Sequence, residues 1–299
     1  MRIKSLLACA GVLLSQMAVA DNLPQRWVSA GGAFSEWVVA LGGESKLVGV
    51  DSTSQHPRSL HNLPSIGYQR ALAAEGILAL KPDILVGSDE MGPPPVLAQL
   101  KAAGVRVELL SAKADVPSLQ HNLTELGQLL GNPAQAQALM AGYQQRLEQQ
   151  AAWVRQVQQH TPAPRVLMLL NHAGGNLQAA GKDTLAAWMI DQAGGKNLIE
   201  HNGYKPVSNE AMLALDPQVI VFASSKLEGD AARTALLEQN PILAQTAAGR
   251  EGRVLVIDPT LLVGGLGPRV PDALSTLSKA FYPSAPLQTA ELQATESTR

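Results

Sequence analysis

Residues 51–75 hold most of the side chains that could grip a ligand. Among them are His56, His61, Tyr68 and Arg70, set between hydroxyls and broken by Pro57, Pro64 and Gly67. The segment is polar and lies between an apolar strand-like run, Leu47–Val50, and a helix-like run that starts at Glu75. Loops at strand ends that face a cleft commonly carry function. The chemistry on offer is binding rather than catalysis. No Walker loop, His-Glu-x-x-His or Gly-x-Ser-x-Gly occurs in the chain. Gly174-Gly175 and Gly264-Gly265 are turn glycines without dinucleotide spacing. The carboxylates show no paired spacing suited to acid–base work.

These residues need a scaffold to converge on. The chain has 299 residues, 46% of them hydrophobic and 16% charged, which favours two lobes with real cores. A net charge of −2 without a basic cluster argues against nucleic acid as a partner. The first twenty residues stand apart. Arg2 and Lys4 precede a mostly apolar run from Leu6 to Met17, and Ala18-Val19-Ala20 is a small-x-small cleavage signal. This is a secretory leader, with Asp21 starting the mature chain. Its apolar run is too short to cross a membrane, and no later run is long enough. Leu6-Leu7-Ala8-Cys9 has the form of a lipoprotein box, the alternative processing site. An apolar region ending there would hold about five residues, below the ~7 a signal needs, so cleavage near Ala20 is the reading adopted. Cys9 is the only cysteine, and its removal leaves no disulfide and no thiol metal site.

Beyond the leader, strand-like and helix-like runs alternate over residues 21–133, which predicts a parallel α/β lobe. Residues 134–161 differ. Ala136, Leu139, Met140, Tyr143, Leu147, Ala151, Val154 and Val157 recur near the helical period, without proline until Pro162. They predict one long helix of roughly 40 Å at 1.5 Å per residue. A second α/β lobe follows over 162–285, and residues 286–299 read as a polar, frayed tail.

The two lobes resemble each other. Glu75-Gly-Ile-Leu-Ala-Leu-Lys-Pro-Asp-Ile-Leu-Val aligns without a gap on Glu210-Ala-Met-Leu-Ala-Leu-Asp-Pro-Gln-Val-Ile-Val. Upstream, Trp37 with Gly42-Gly43 resembles Trp188 with Gly194-Gly195, and Gly67-Tyr68 corresponds to Gly203-Tyr204. The fold class expected is therefore α/β, with two similar parallel-sheet lobes joined by one long α-helix and a ligand cleft between them. A single rigid helix as the connection predicts modest closure.

Several stretches are similar to periplasmic haem-binding proteins of bacterial haem ABC importers. The strongest is Leu63-Pro-Ser-Ile-Gly-Tyr-Gln-Arg-Ala-Leu-Ala-Ala-Glu-Gly-Ile-Leu-Ala-Leu-Lys-Pro-Asp. Gly87-Ser-Asp-Glu-Met-Gly-Pro-Pro-Pro, Gly203-Tyr-Lys-Pro-Val-Ser-Asn-Glu-Ala and Gly264-Gly-Leu-Gly-Pro-Arg also resemble that family. The wider class includes cobalamin and ferric-siderophore binders. The Gly-Tyr-x-Arg segment is the feature that points to haem within it.

The resemblance implies a binding protein and no enzyme, with ferric haem b as the transported ligand. Tyr68 then supplies the axial oxygen to the iron. A phenol titrates near 10, so the phenolate needs ferric iron and a nearby guanidinium to persist at neutral pH. Arg70 is the local candidate and Arg269 the candidate from the other lobe. His172 and Tyr204 are expected at the cleft from the second lobe, and His56 and His61 are candidates for propionate contacts. Glu75 and Glu210 hold equivalent repeat positions and imply docking of both lobes on the importer's permease. The further implications are a periplasmic location, a monomer, and an outer-membrane haem receptor system upstream. The rivals are a cobalamin or ferric-siderophore binder, an exported α/β enzyme, and a free metal-ion binder.

Overall fold

The computed structural model describes residues 23–171, 177–224 and 229–286. The expected leader, with Cys9, and nearly all of the expected tail lie outside them. The first lobe carries β1 (Trp27–Ala30), β2 (Leu47–Val50), β3 (Ile84–Ser88) and β4 (Arg106–Leu110) in the order β2-β1-β3-β4, every pair parallel. Central β3 is buried along its whole length, which is why it reads as an unbroken apolar run rather than an alternation. The helices are α1 (Gly32–Ala40), α2 (Ala74–Ala79), α3 (Pro94–Ala102) and α4 (Val116–Leu130). Helix α4 has both of its ends written locally in the sequence. The Asp115 carboxylate accepts from the Ser118 N–H at 2.7 Å, and Gly131 takes a left-handed φ of 79° beyond the last turn.

The long helix, α5 (Pro133–Gln158), has 26 residues. It is more than a bridge. Its face of Ala136, Met140, Tyr143, Leu147, Val154 and Val157 is buried. Tyr143 lies 5.8 Å from Trp37 of the first lobe, centroid to centroid, and Trp153 lies 6.0 Å from Tyr282 of the second. Both lobes therefore lean on one rigid surface.

The second lobe contains β5 (Arg165–Asn171), β6 (Leu177–Ala180), β7 (Lys196–Asn197), β8 (Tyr204–Pro206), β9 (Val219–Ala223) and β10 (Val254–Ile257). Its helices are α6 (Leu185–Gln192), α7 (Asn209–Leu215), α8 (Gly229–Gln239), α9 (Ala247–Arg250) and α10 (Val270–Phe281). Four parallel strands run β10-β9-β5-β7, the same order as β4-β3-β1-β2 in the first lobe. Lys81 and Asp216, seventh in the two aligned runs, both take positive φ, 49° and 37°, in the turn between short helix and buried strand. The α1–α6 match shifts by one residue. Gly43 N–H donates to Val38 O at 2.8 Å and Gly195 N–H to Ile190 O at 2.9 Å, so Val38 pairs with Ile190 and Trp188 falls opposite Glu36.

The two-lobe α/β architecture agrees with expectation, but the second sheet is not purely parallel. Strand β6 pairs antiparallel with β5, and β8 pairs antiparallel with β6 at the sheet edge. Five residues separate β5 from β6. A parallel crossover needs about a dozen or more, so a connection this short can only reverse the chain.

After β10 the chain crosses back to the first lobe. Trp37 Nε1 donates to Leu266 O at 2.8 Å, and Ala33 N–H to Val263 O at 3.3 Å. Gly265, at φ 81°, has no room for a side chain: a Cβ there would stand 3.2 Å from the Ala112 carbonyl oxygen. Phe34, Trp37, Tyr143, Leu266, Leu274 and Phe281 belong to one continuous core. Wide opening of the lobes would tear this seam, a second brake beside the rigidity of α5.

Candidate functional site: an interlobe cleft around Tyr68

The Tyr68 turn is held from beneath. Ile66 N–H donates to Val50 O at 2.9 Å, Ser52 N–H to Gly67 O at 2.8 Å, and Ala71 N–H to Tyr68 O at 2.8 Å. Gln69 is 1% exposed, and its Oε1 accepts from the Ser88 hydroxyl at 3.1 Å. Gln69 O accepts from Gly92 N–H at 2.9 Å, and Leu72 N–H donates to Gly92 O at 2.9 Å. The turn is thus clamped to the end of β3. Its buried middle residue forces its neighbours outward: Tyr68 is 44% exposed and Arg70 is exposed beside it. Gln69 is a positioning residue that sequence reasoning missed. A polar residue between two others carries no sign that it will be buried.

Arg70 and Tyr204 line the same cleft, of about 1340 Å³, between the ends of the first-lobe strands and α6. Arg70 is ion-paired with Glu90. The hydrogen bond it donates to Glu90 holds its guanidinium more firmly charged against a partial opposing effect of burial, with smaller contributions from Glu90's charge, Tyr68 and Tyr204. Burial pushes the Tyr204 phenol above the ordinary tyrosine value, and hydrogen bonds with Thr184 and the Ala186 backbone offset part of that rise. Tyr204 therefore stays protonated at neutral pH and offers a neutral hydroxyl. The two repeat-related tyrosines occupy different environments.

Arg269, expected beside the Tyr68 phenol, is committed elsewhere. Its Nε donates to both Glu36 carboxylate oxygens at 2.9 and 3.0 Å, Nη2 to Glu36 Oε1 at 2.7 Å and to the Thr260 hydroxyl at 2.8 Å, and Nη1 to Asp258 Oδ2 at 2.9 Å. His56 Nε2 lies 2.7 Å from the same Asp258 oxygen. Glu36 and His56 come from the first lobe, Asp258, Thr260 and Arg269 from the second lobe's return segment. Burial explains the pairing: Glu36 is 6% exposed on α1, and a carboxylate so placed requires the nearest guanidinium.

Comparison with known proteins decides the class. The family described as Periplasmic binding protein matches residues 28–261. The chain belongs to that family. Among solved structures, this periplasmic binding protein is similar to a periplasmic haem-binding protein from Pseudomonas aeruginosa. The two are 64% identical, the match covers 88% of this chain and 95% of that one, and the TM-score is 0.85. It is also similar to the periplasmic haem-binding protein HutB of Vibrio cholerae, at 36% identity over 87% and 99% of the chains with a TM-score of 0.74. A vitamin B12-binding protein from Pectobacterium atrosepticum is 29% identical over 73% of this chain and 78% of that one. The family is a transport class that binds and hands over its ligand without catalysis.

The remaining expected residues of this periplasmic binding protein fall as follows. Glu75 and Glu210 are exposed in the first turns of α2 and α7. Hydrogen bonds from its own N–H and the Ser208 hydroxyl hold the Glu210 carboxyl below the usual range. His172 lies outside the described residues. His56 is tied to Asp258, and His61 Nε2 lies 3.0 Å from Gln55 O. Sequence reasoning also missed Glu90 and Asp258. Glu90 comes two residues after β3 and Asp258 directly after β10, positions at the cleft mouth in this fold class, and that was the available signal.

Proposed function

We propose that this protein captures ferric haem in the interlobe cleft and delivers it to an ABC-type importer of the inner membrane. The observation that carries the reading is the Tyr68 turn. A clamped backbone with buried Gln69 presents an exposed phenol on the same turn as Arg70, whose guanidinium lines the cleft. Ferric iron is a hard cation and takes phenolate oxygen readily, and the Arg70 guanidinium stands two residues away on the same turn. The 64% identical relative, described as a haem binder, supports haem over cobalamin, whose binders match at 29% and below. In this reading Tyr68 is the axial ligand, Arg70 and Tyr204 contact the bound haem, and His172 is a further contact from the second lobe. Arg269 joins the lobes. Adding hemin to the purified protein is expected to give a stoichiometric Soret shift and a high-spin ferric spectrum of the tyrosinate type. No shift at one equivalent would overturn the reading.

Glu75 and Glu210 dock the two lobes on the permease, whose complementary groups would be cationic. They sit at equivalent positions of a repeated helix, so one rigid body presents two matched carboxylates. Reversing both charges should abolish haem uptake by cells while leaving haem affinity unchanged. Normal uptake in the doubly reversed variant would refute the assignment. The protein acts as a monomer in the periplasm after cleavage near Ala20, fed by an outer-membrane haem receptor system.

A further inference from the structure

The residues flanking Tyr68 reach two clefts that differ in chemistry: Arg70 lines one, and Gly67 bonds to Ser52 on the rim of the other. On the Arg70 side, the walls carry four cationic side chains against five carboxylates, so that side has no excess positive charge. Arg70 is held by Glu90 and Lys182 by Glu200. The same side supplies apolar surface from Leu185, Trp188, Ile199 and Leu262. Ser52, hydrogen-bonded to Gly67 next to Tyr68, begins the rim of the other cleft, of about 740 Å³. Its first-lobe wall carries His56, Arg58 and His61. Its one carboxylate among the described residues, Asp258, is already bonded to Arg269 at 2.9 Å and to His56 at 2.7 Å. Arg58 is exposed and has no ion pair or hydrogen-bonded partner among the described residues.

A porphyrin ligated at its centre by Tyr68 would have one edge toward the Arg70 side and the other toward the Ser52 rim. Its two propionates leave from one edge, and its opposite edge carries only methyl and vinyl groups. We infer that haem binds in one orientation, with the propionate edge in the Arg58 cleft and the vinyl edge against Trp188 and Leu185. This orientation rests on the haem reading above. It makes Arg58, with His61 beside it, the residue that distinguishes a dicarboxylate porphyrin from an uncharged one. The reverse orientation would place both carboxylates beside Glu90 and Asp89, where like charges repel.

The test compares ferric protoporphyrin IX with its dimethyl ester, which keeps the iron and the ring and removes both negative charges. Dissociation constants are measured for the wild type, Arg58→Ala, and Lys113→Ala on the opposite side. Arg58→Ala should weaken the diacid by about tenfold to a hundredfold, the range of a charge-assisted hydrogen bond, and leave the diester unchanged. Its tyrosinate spectrum should be intact, and Lys113→Ala should change neither affinity. The orientation is wrong if Arg58→Ala affects both porphyrins alike or spares the diacid, or if Lys113→Ala selectively weakens the diacid. Failure of the wild type to bind either porphyrin would instead overturn the haem reading itself, and the orientation with it.

Discussion

Tyr68→Phe is expected to abolish the tyrosinate-type ferric spectrum and weaken haem binding by more than about a hundredfold. Groups that merely support a metal ligand cost about 10- to 100-fold when removed, so loss of the ligand atom should exceed that range. The substitution keeps the ring and deletes only the oxygen. The side chain is 44% exposed, and the turn is held by backbone bonds and by Gln69, none of which uses the phenol. Stability should therefore stay within about 0.5 kcal/mol of the wild type, as for surface changes in general. Urea unfolding and hemin titration of the same preparation separate the two effects. An unchanged ferric spectrum in Tyr68→Phe would remove Tyr68 from the iron. Tyr204 differs from Tyr68 in that burial raises its phenol above the ordinary tyrosine value.

Arg269→Ala should cost about 3–5 kcal/mol of stability, the range for breaking a buried ion pair by removing one partner. Glu36 would be left buried and uncompensated, and Asp258 would lose a bond. The pH dependence has a definite sign. Burial raises the Glu36 pKa above its ordinary 4.5, against the hydrogen bonds and charge of Arg269. The native state thus holds this proton more tightly than the unfolded chain. Its contribution is most favourable below that ordinary value and declines as pH rises through the raised native one. Without Arg269 the native pKa climbs further, so the variant should lose more stability at pH 7 than at pH 4. Asp258 runs the other way. Burial works to raise its pKa, but the Thr260 N–H and hydroxyl, with Arg269, bring it below 3.8. Its contribution is present above that value and is lost as pH falls through the depressed native one. Adding Glu36→Gln to Arg269→Ala should recover part of the loss and flatten the pH dependence. A loss below about 1 kcal/mol, independent of pH, would show that the network contributes little.

The elements were legible because their signals are local. Helix α4 carries its own cap and stop, α5 its own apolar period, and each short helix before β3 or β9 its own proline-marked turn. The repeat was legible for the same reason, and so was the adjacency of Tyr68 and Arg70, two residues apart on one turn. Periodicity records which face of an element is buried, and a turn motif records where the chain reverses. Neither records what lies on the far side of the interface. The sequence by itself determined two α/β lobes on one long helix, with a Tyr–Arg pair in the loop that reaches their cleft. Only the tertiary structure decided that Gln69 is buried and so drives Tyr68 outward, that Tyr204 at the matching position is half-buried with a desolvated phenol, and that Arg269 is bonded to Glu36, 233 residues away. Each of those outcomes depends on desolvation and on partners brought together from distant parts of the chain, and these exist only once the lobes have packed.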